Sequence, residues 1–251
     1  MYRKDVNEDS PVRILERSIH GGLGRGNLGV VMAPAGVGKT ACLVQIGLDD
    51  VMRGRSVLHV ALGQSIEHVE SWYEALLDDL LSHLTVEDRA LERVAALRKL
   101  MIKTFGDLAL TPDRLENAVA MFAQHANFCP VAILIDGYDW TGPVAKTAAA
   151  LGAFRAQAKR LGAELWMTAH THRTVTGAHP TRISAPCEPY IDLIDVGIYL
   201  EPHADHVDVR LLKDHGEQLP SDTHLHLHCE TLRLVAAGQG ARATETPFGL
   251  P

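Results

Sequence analysis

A glycine-rich stretch ending in Lys-Thr is the part of the chain best suited to chemistry. It reads Ala33-Pro34-Ala35-Gly36-Val37-Gly38-Lys39-Thr40. An apolar run from Leu28 to Met32 precedes it and predicts a buried strand, and apolar residues at helical spacing follow it. A chain that turns sharply between a strand and a helix points successive backbone N–H groups at an anion. The stretch therefore predicts a phosphate-binding loop.

The residue types in this loop also predict what accompanies the phosphate. Lys39 would reach the β- and γ-phosphates of a nucleotide, and the hydroxyl of Thr40 would be a ligand of Mg²⁺. The pattern usually begins with Gly, and Ala33 is a small replacement. A glycine-rich turn that merely contains Lys-Thr is the alternative. The predicted nucleotide-binding residues are Ala35, Gly36, Val37, Gly38, Lys39, Thr40 and Ala41.

Asp136 is the acidic residue that we expect to complete the magnesium site. It ends the run Val131 to Ile135, which is apolar on both faces and therefore predicts a central strand. Ligands of open α/β sheets collect at the carboxyl ends of such strands, and Mg²⁺ needs oxygen ligands beyond Thr40, usually through water. The alternative is an Asp that caps the following turn.

The length and pattern of the chain favour one domain. Its 251 residues alternate short apolar runs with helical patterns, which is typical of a mostly parallel sheet covered by helices. The C-terminal third alternates with a period of two, which predicts antiparallel strands at one edge of the sheet. We expect an α/β fold over residues 11–235, a helical insertion near 86–101, and flexible tails at 1–10 and 236–251.

The amino-acid composition argues against several classes of protein. The net charge of −7 argues against a generally basic surface for nucleic acid, although a local patch could escape that average. The four cysteines form no CxxC pair, so neither a disulfide framework nor a thiolate zinc site is indicated. No apolar run is long enough to cross a bilayer, and no signal peptide is evident, so we expect no membrane partner and a cytoplasmic location.

The order of these motifs resembles the core of the RecA-type P-loop ATPases, and within it the branch of KaiC and the DnaB-like replicative helicases. The resemblance covers about residues 11–235. It rests on Gly21 to Gly26, the loop from Ala33 to Thr40, Val57 to Leu62, Ile133 to Asp136, Thr168 to His170, and Leu211 to Gly216. It implies a three-layer RecA-like P-loop fold that binds ATP with Mg²⁺ and that can assemble into rings or filaments.

The sequence departs from this family where a general base is needed. KaiC-like members end the second strand with paired glutamates that activate water, whereas this chain has Gly63 and Gln64. Neither can accept a proton as a carboxylate does, but Gln64 could orient a water molecule or simply lie in a helix-entry turn. Glu67 and Glu70 follow closely as displaced bases or as solvated helix residues.

The resemblance also implies roles for three later residues. His170 stands where relatives sense the γ-phosphate. Lys213 and His215 stand where ring-forming relatives carry a Lys-x-Arg element that reaches a neighbouring subunit's nucleotide, and His cannot copy the planar fork of Arg. Either a catalytic role or an ordinary strand-end role remains open for each. Relatives contact DNA through the loop that corresponds to 171–190, which here has few basic residues, among them Arg173 and Arg182, and one aromatic residue, Tyr190.

His224, His226 and His228 alternate with leucines, so their side chains share one face of a predicted strand. Imidazoles bind metals, but no carboxylate is identifiable near them in the sequence, and a solvated strand face is the expectation.

Three functions follow from these observations. The first is an ATP- and Mg²⁺-binding RecA/KaiC-like ATPase whose hydrolysis is slow or conditional, because the general base is lost. The second is a nucleotide-binding regulatory or assembly protein that does not hydrolyse ATP. The third is a recombinase-like ATPase that binds single-stranded DNA.

Overall fold

A computed structural model of the protein describes most of the chain. The described residues are 10–82, 85–105, 109–171, 180–220 and 223–236. The predicted tails fall almost entirely outside these ranges, as do His172 and Arg173.

Strands and helices alternate through the first two thirds of the chain. The strands are β1 Leu28–Ala33, β2 Val57–Ala61, β3 Leu100–Thr104, β4 Ala132–Asp136, β5 Glu164–His170, β6 Val196–Pro202, β7 His206–Asp214, β8 Leu225–His228 and β9 Leu234–Ala236. The α-helices are α1 Pro11–Ser18, α2 Lys39–Met52, α3 Ile66–Leu80, α4 Val86–Leu97, α5 Pro112–Ala126 and α6 Val144–Leu161, with a 3₁₀ helix at Glu188–Leu193.

The strands form one mostly parallel sheet. Across the described residues its order is β3-β2-β4-β5-β1-β6-β7-β8-β9. The strands from β3 to β6 in that order are parallel, and β7, β8 and β9 add antiparallel pairs at the C-terminal edge. The predicted fold class, a three-layer α/β structure with antiparallel strands at this edge, is confirmed.

Both faces of the sheet are buried under helices, and the side chains of its central strands are mostly apolar. On β1, Leu28 and Val30 enter one hydrophobic core while Val31 and Ala33 enter the other, as the period of two requires. The core on the side of Val31 is completed by α1, α2 and α3, and the opposite core by α5 and α6. Helix α2 therefore covers the sheet directly behind the phosphate-binding loop.

Side-chain caps start several helices where the sequence predicted them. The hydroxyl of Ser65 accepts a hydrogen bond from the backbone N–H of His68 at the start of α3, at 3.2 Å. Thr111 caps α5 through Arg114 N, at 3.3 Å, and Pro112 follows in the first turn. These caps satisfy N–H groups that the helices leave unpaired.

The predicted helix at 86–101 is too long. Helix α4 ends at Leu97, and the chain continues as the edge strand β3, parallel to β2. Leu, Met and Lys are good helix formers, so the sequence LMIKT carries little local strand signal. Pairing with β2 at the sheet edge overrides that preference.

Within the part of the chain that the structure describes, no helix combines the length and apolar character that a membrane span requires.

Candidate functional site

The phosphate-binding loop leaves the carboxyl end of β1 and leads directly into α2. Gly36 and Gly38 have φ values of 73° and 106°, a region that glycine enters without steric cost. The first hydrogen bond of the helix runs from Cys42 N to Gly38 O, at 2.9 Å. The N–H groups of Lys39, Thr40 and Ala41 therefore precede the helical ladder and form the positive end of the α2 dipole.

Lys39 is half-buried against its own loop. Its Nζ donates to the carbonyl oxygens of Ala33, at 3.0 Å, and Pro34, at 2.8 Å. Burial lowers the pKa of the Lys39 ammonium, and the nearby Asp136 carboxylate opposes that shift. The ammonium is thus held at the start of the loop.

Three side chains from different elements meet on the carboxylate of Asp136, which is 3 % exposed. Thr40 Oγ1 donates to Oδ2, at 2.6 Å, and Gln64 Nε2 donates to the same oxygen, at 2.9 Å. Thr168 Oγ1 donates to Oδ1, at 2.6 Å. The structure therefore brings Thr40 of the loop, Gln64 beyond β2 and Thr168 of β5 together on the carboxylate at the end of β4.

A glycine after β4 allows this approach. Gly137 has a φ of 82°, and a Cβ there would lie 2.6 Å from the carbonyl oxygen of Leu62. Leu62 N also donates to Asp136 O, at 2.9 Å. The chain beyond β2 consequently runs beside Asp136 and brings Gln64 within reach of it.

Thr168 was not predicted as a site residue. Its hydroxyl bridges Asp136 and the backbone N–H of Gly137, which donates to it at 2.9 Å. The sequence does carry a signal for it, because Thr168 lies two residues before His170 and so shares its face of β5.

A buried histidine lies below the polar cluster. His59, two residues before the end of β2, is fully buried, and its Nδ1 lies 3.1 Å from the hydroxyl of Tyr73. Burial lowers the pKa of His59 to about 4, although the charge of Asp136 opposes the shift. His59 is therefore neutral at physiological pH and adds no positive charge beneath Asp136.

His170 lies at the predicted position beside the loop. It is the last residue of β5, it is exposed, and its register partner is Ala33 at the end of β1. Thr171 N donates to Ala33 O, at 3.0 Å. His170 thus lies at the carboxyl end of β5, next to the carboxyl end of β1, where the loop begins.

Lys213 and His215 do not join this cluster. Lys213 pairs with Gly197, which pairs with Val30 near the start of β1. Nζ of Lys213 donates to Ile191 O, at 2.5 Å, and Nε2 of His215 lies 3.3 Å from Gly22 O. Both residues therefore lie towards the amino-terminal end of β1, whereas the loop leaves its carboxyl end.

The two glutamates after Gln64 are solvated helix residues. Glu67 and Glu70 are exposed on α3. Hydrogen bonds from its own backbone N–H and from the Ser65 side chain hold the pKa of Glu67 below its usual range. A carboxylate of lowered pKa is a weaker base, so these contacts favour the interpretation of Glu67 as a solvated helix residue.

The C-terminal hairpin formed by β8 and β9 packs on the start of α2, which the sequence did not indicate. Gln45 Nε2 donates to Leu232 O, at 3.0 Å, and Gln45 Oε1 accepts from Leu234 N, at 2.7 Å. A Cβ on Gly38 would lie 3.3 Å from Leu227 and 3.5 Å from Leu232. The hairpin therefore supports the loop from the side.

These residues fit a nucleotide phosphate with Mg²⁺. The backbone at Gly36 faces open space, since a Cβ there would have no heavy atom within 4 Å. The hydroxyl of Thr40 and the carboxylate of Asp136 are adjacent oxygen donors of the kind that Mg²⁺ prefers. The loop N–H groups and Lys39 would hold the phosphates, and Thr40 and Asp136 would hold the metal.

Comparison with known proteins agrees with this geometry. No curated protein shows a significant sequence match to the chain. The family profile described as "AAA domain" matches residues 3–174, which contain the loop, Gln64, Asp136 and His170. The match covers more than half of the chain and supports nucleotide binding of the P-loop ATPase type. The chain belongs to the AAA domain family.

Proposed function

We propose that the protein binds ATP with Mg²⁺ at the loop from Ala35 to Ala41 and hydrolyses it slowly or only under particular conditions. The observation that carries the proposal is the hydrogen-bonded cluster of Thr40, Gln64 and Asp136. This cluster would supply the groups that hold the nucleotide and the metal, and it includes an amide rather than a carboxylate that could act as a general base.

The binding half of the proposal rests on complementary charges. Loop N–H groups and Lys39 donate to phosphate oxygens, and the α2 dipole favours an anion there. Bound Mg²⁺ would neutralise charge on the phosphates. Thr168 holds the Asp136 carboxylate in place from the far side, through Oδ1.

The proposed slow hydrolysis of ATP depends on Gln64. Its Nε2 is engaged with Asp136, whereas its Oε1 is buried without a hydrogen-bond partner among the described residues. That carbonyl oxygen can accept a hydrogen bond from water and so orient it, but it cannot remove a proton at neutral pH. General-base catalysis is worth about 10²- to 10⁴-fold, so we expect turnover reduced by that order.

A protein that binds ATP without hydrolysing it is the second candidate, and the same amide favours it. Turnover separates the two: phosphate release that Lys39→Ala abolishes supports an ATPase, while tight binding without release over hours supports a regulator.

If the protein belongs to the RecA/KaiC-like branch, we expect several copies of the chain to assemble with one another. Lys213 and His215 lie towards the amino-terminal end of β1, away from the loop at its carboxyl end, so we expect them to contact only a nucleotide that another copy of the chain binds. A ring or filament is the arrangement that permits this, and mass in solution with and without ATP tests it.

Titration calorimetry with ATP and Mg²⁺ tests the binding site. Lys39→Ala removes a charged donor, worth about 1.5–3 kcal/mol, so we expect affinity about 10- to 100-fold weaker. The matched control is Lys146→Ala, an exposed lysine on α6, which should bind as the wild type does. Equal affinity in both variants, or no binding by the wild type, would overturn the proposal.

A further inference from the structure

The turn between β6 and β7 brings together two histidines and an aspartate that have no assigned role in nucleotide binding. Nε2 of His203 lies 3.0 Å from Oδ2 of Asp208, and Nε2 of His206 lies 3.1 Å from Oδ1 of the same carboxylate. One ligand atom from each of the three residues can be chosen so that all lie within 4.8 Å of one another. We propose that His203, His206 and Asp208 bind a divalent transition-metal ion of the zinc type.

Backbone geometry holds the two imidazoles side by side. His203 N donates to His206 O, at 2.8 Å, which closes a tight turn around Ala204 and Asp205. The two imidazole rings stack with centroids 4.8 Å apart and planes inclined by 19°. Both Nε2 atoms consequently approach one carboxylate from neighbouring positions.

Asp205 orients one of the ligands. Its Oδ1 lies 2.8 Å from Nδ1 of His206, which leaves Nε2 of the same ring on the side of Asp208. Carboxylates that hold the second nitrogen of a metal-binding histidine are a regular feature of such sites, because they fix the tautomer and orientation of the ring.

The three ligands suit a small ion with open coordination positions. Zinc binds imidazole nitrogen and carboxylate oxygen at about 2.0–2.2 Å, which puts ligand atoms about 3.4 Å apart in a tetrahedron. The side chains of His203 and His206 are 36 % and 34 % exposed, so small rotations can close the remaining gap. Two neutral nitrogens and one oxygen favour zinc-like ions over Mg²⁺, which prefers an octahedron of oxygens.

The neighbouring strand corrects an expectation from the sequence. His226 was considered without a carboxylate nearby, but it pairs across the sheet with Asp208, and its ring centroid lies 5.4 Å from that of His206. His226 therefore borders the cluster, and water would complete the coordination of the ion.

Zinc binding to the purified full chain, without nucleotide, tests the proposal through competition with a chromophoric chelator. We expect one zinc ion per chain that excess Mg²⁺ does not displace. His203→Ala, His206→Ala and Asp208→Asn should each weaken zinc binding at least tenfold. Asp208→Asn keeps the shape of the side chain, so its result does not depend on whether the alanine variants fold.

Two variants control for other zinc ligands. His125→Ala removes an exposed histidine of α5, and Cys229→Ser removes an exposed thiol near the end of β8; both should bind zinc as the wild type does. Absence of zinc binding by the wild type, displacement by Mg²⁺, unchanged affinity in all three ligand variants, or loss of binding in Cys229→Ser would each overturn the proposal.

Discussion

At the scale of single residues, the proposed slow hydrolysis depends on an amide at position 64. Gln64 donates to Asp136 at 2.9 Å and so contributes to holding the carboxylate in place. A glutamate there could act as a general base, but it would also put two carboxylates beside each other. This is the basis of the proposal that the site holds a nucleotide and cleaves it slowly.

Gln64→Glu should therefore raise the rate of phosphate release. We expect a gain of at least tenfold, below the limit of about 10⁴ that a general base supplies. Because like charges raise the pKa of one carboxyl, the gain should grow as pH rises. Gln64→Ala is the control and should show no gain; equal rates for the two variants would contradict the role assigned to this position.

His59 predicts a specific pH dependence of stability. Its pKa is about 4 in the folded chain and about 6.5 when unfolded. Between pH 4 and pH 6.5 the His59 imidazole is protonated in the unfolded chain but not in the folded chain. The contribution of His59 to the free energy of unfolding therefore falls as pH falls from 6.5 towards 4.

Urea unfolding of the wild type and of His59→Gln, at pH 7 and pH 5, measures this contribution. The wild type should lose about 2 kcal/mol more than the variant over that interval. Asp50, whose pKa burial raises to about 7, has the opposite dependence, but it is present in both proteins and cancels in the difference. Equal losses would show that His59 titrates normally.

At the scale of elements, the C-terminal hairpin is part of the nucleotide site's support. Its turn and last strand are bound to α2 through both ends of the Gln45 amide. The loop is thus fixed by β1 on one side, by the end of β5 on another, and by a hairpin almost two hundred residues later in the chain.

Gln45→Ala should destabilise the protein by about 1–3 kcal/mol, because it leaves Leu232 O and Leu234 N without their partner. Gln124→Ala, on the exposed face of α5, loses no such bond and should change stability by less than about 0.5 kcal/mol. Urea unfolding at neutral pH compares the free energies of unfolding of the two variants. A loss of stability in Gln45→Ala no larger than that in Gln124→Ala would contradict a stabilising role for the two hydrogen bonds between Gln45 and the hairpin.

The elements that could be predicted are those whose signals are local. The apolar runs of β1 and β4, the cap at Thr111 and the glycines of the loop each indicate their structure within a few residues. Strand β3 could not be predicted because its half-buried edge position depends on pairing with β2. The hydrogen bonds of Gln45 to the hairpin and the contact of His203 with Asp208 could not be predicted either. They depend on how antiparallel strands are aligned across a turn, and no local sequence pattern determines that alignment.

At the scale of the whole molecule, the charge and the arrangement of aromatic residues weigh against single-stranded DNA as a partner. The net charge is −7, and Tyr190, the aromatic residue of the predicted DNA-contacting segment, is 3 % exposed. Its ring packs against Trp140 with centroids 5.9 Å apart, so it presents no face on which a base could stack.

We therefore expect no mobility shift of single-stranded DNA, even at low salt with ATP and Mg²⁺. A mobility shift that weakens as the salt concentration rises, as phosphate contacts require, would contradict this expectation. It would support the alternative of a recombinase-like ATPase that binds single-stranded DNA.

At this scale the proposed function combines a nucleotide-binding loop with an amide, Gln64, at the position where the proposal needs a carboxylate base. The most direct test is to measure bound ATP and released phosphate on the same sample of purified protein. A median enzyme turns over at about 10 s⁻¹, and loss of 10²- to 10⁴-fold predicts about 10⁻³ to 10⁻¹ s⁻¹ here. Stoichiometric ATP with release in that range or slower is the predicted result; turnover near 10 s⁻¹, or no bound ATP, would contradict the account.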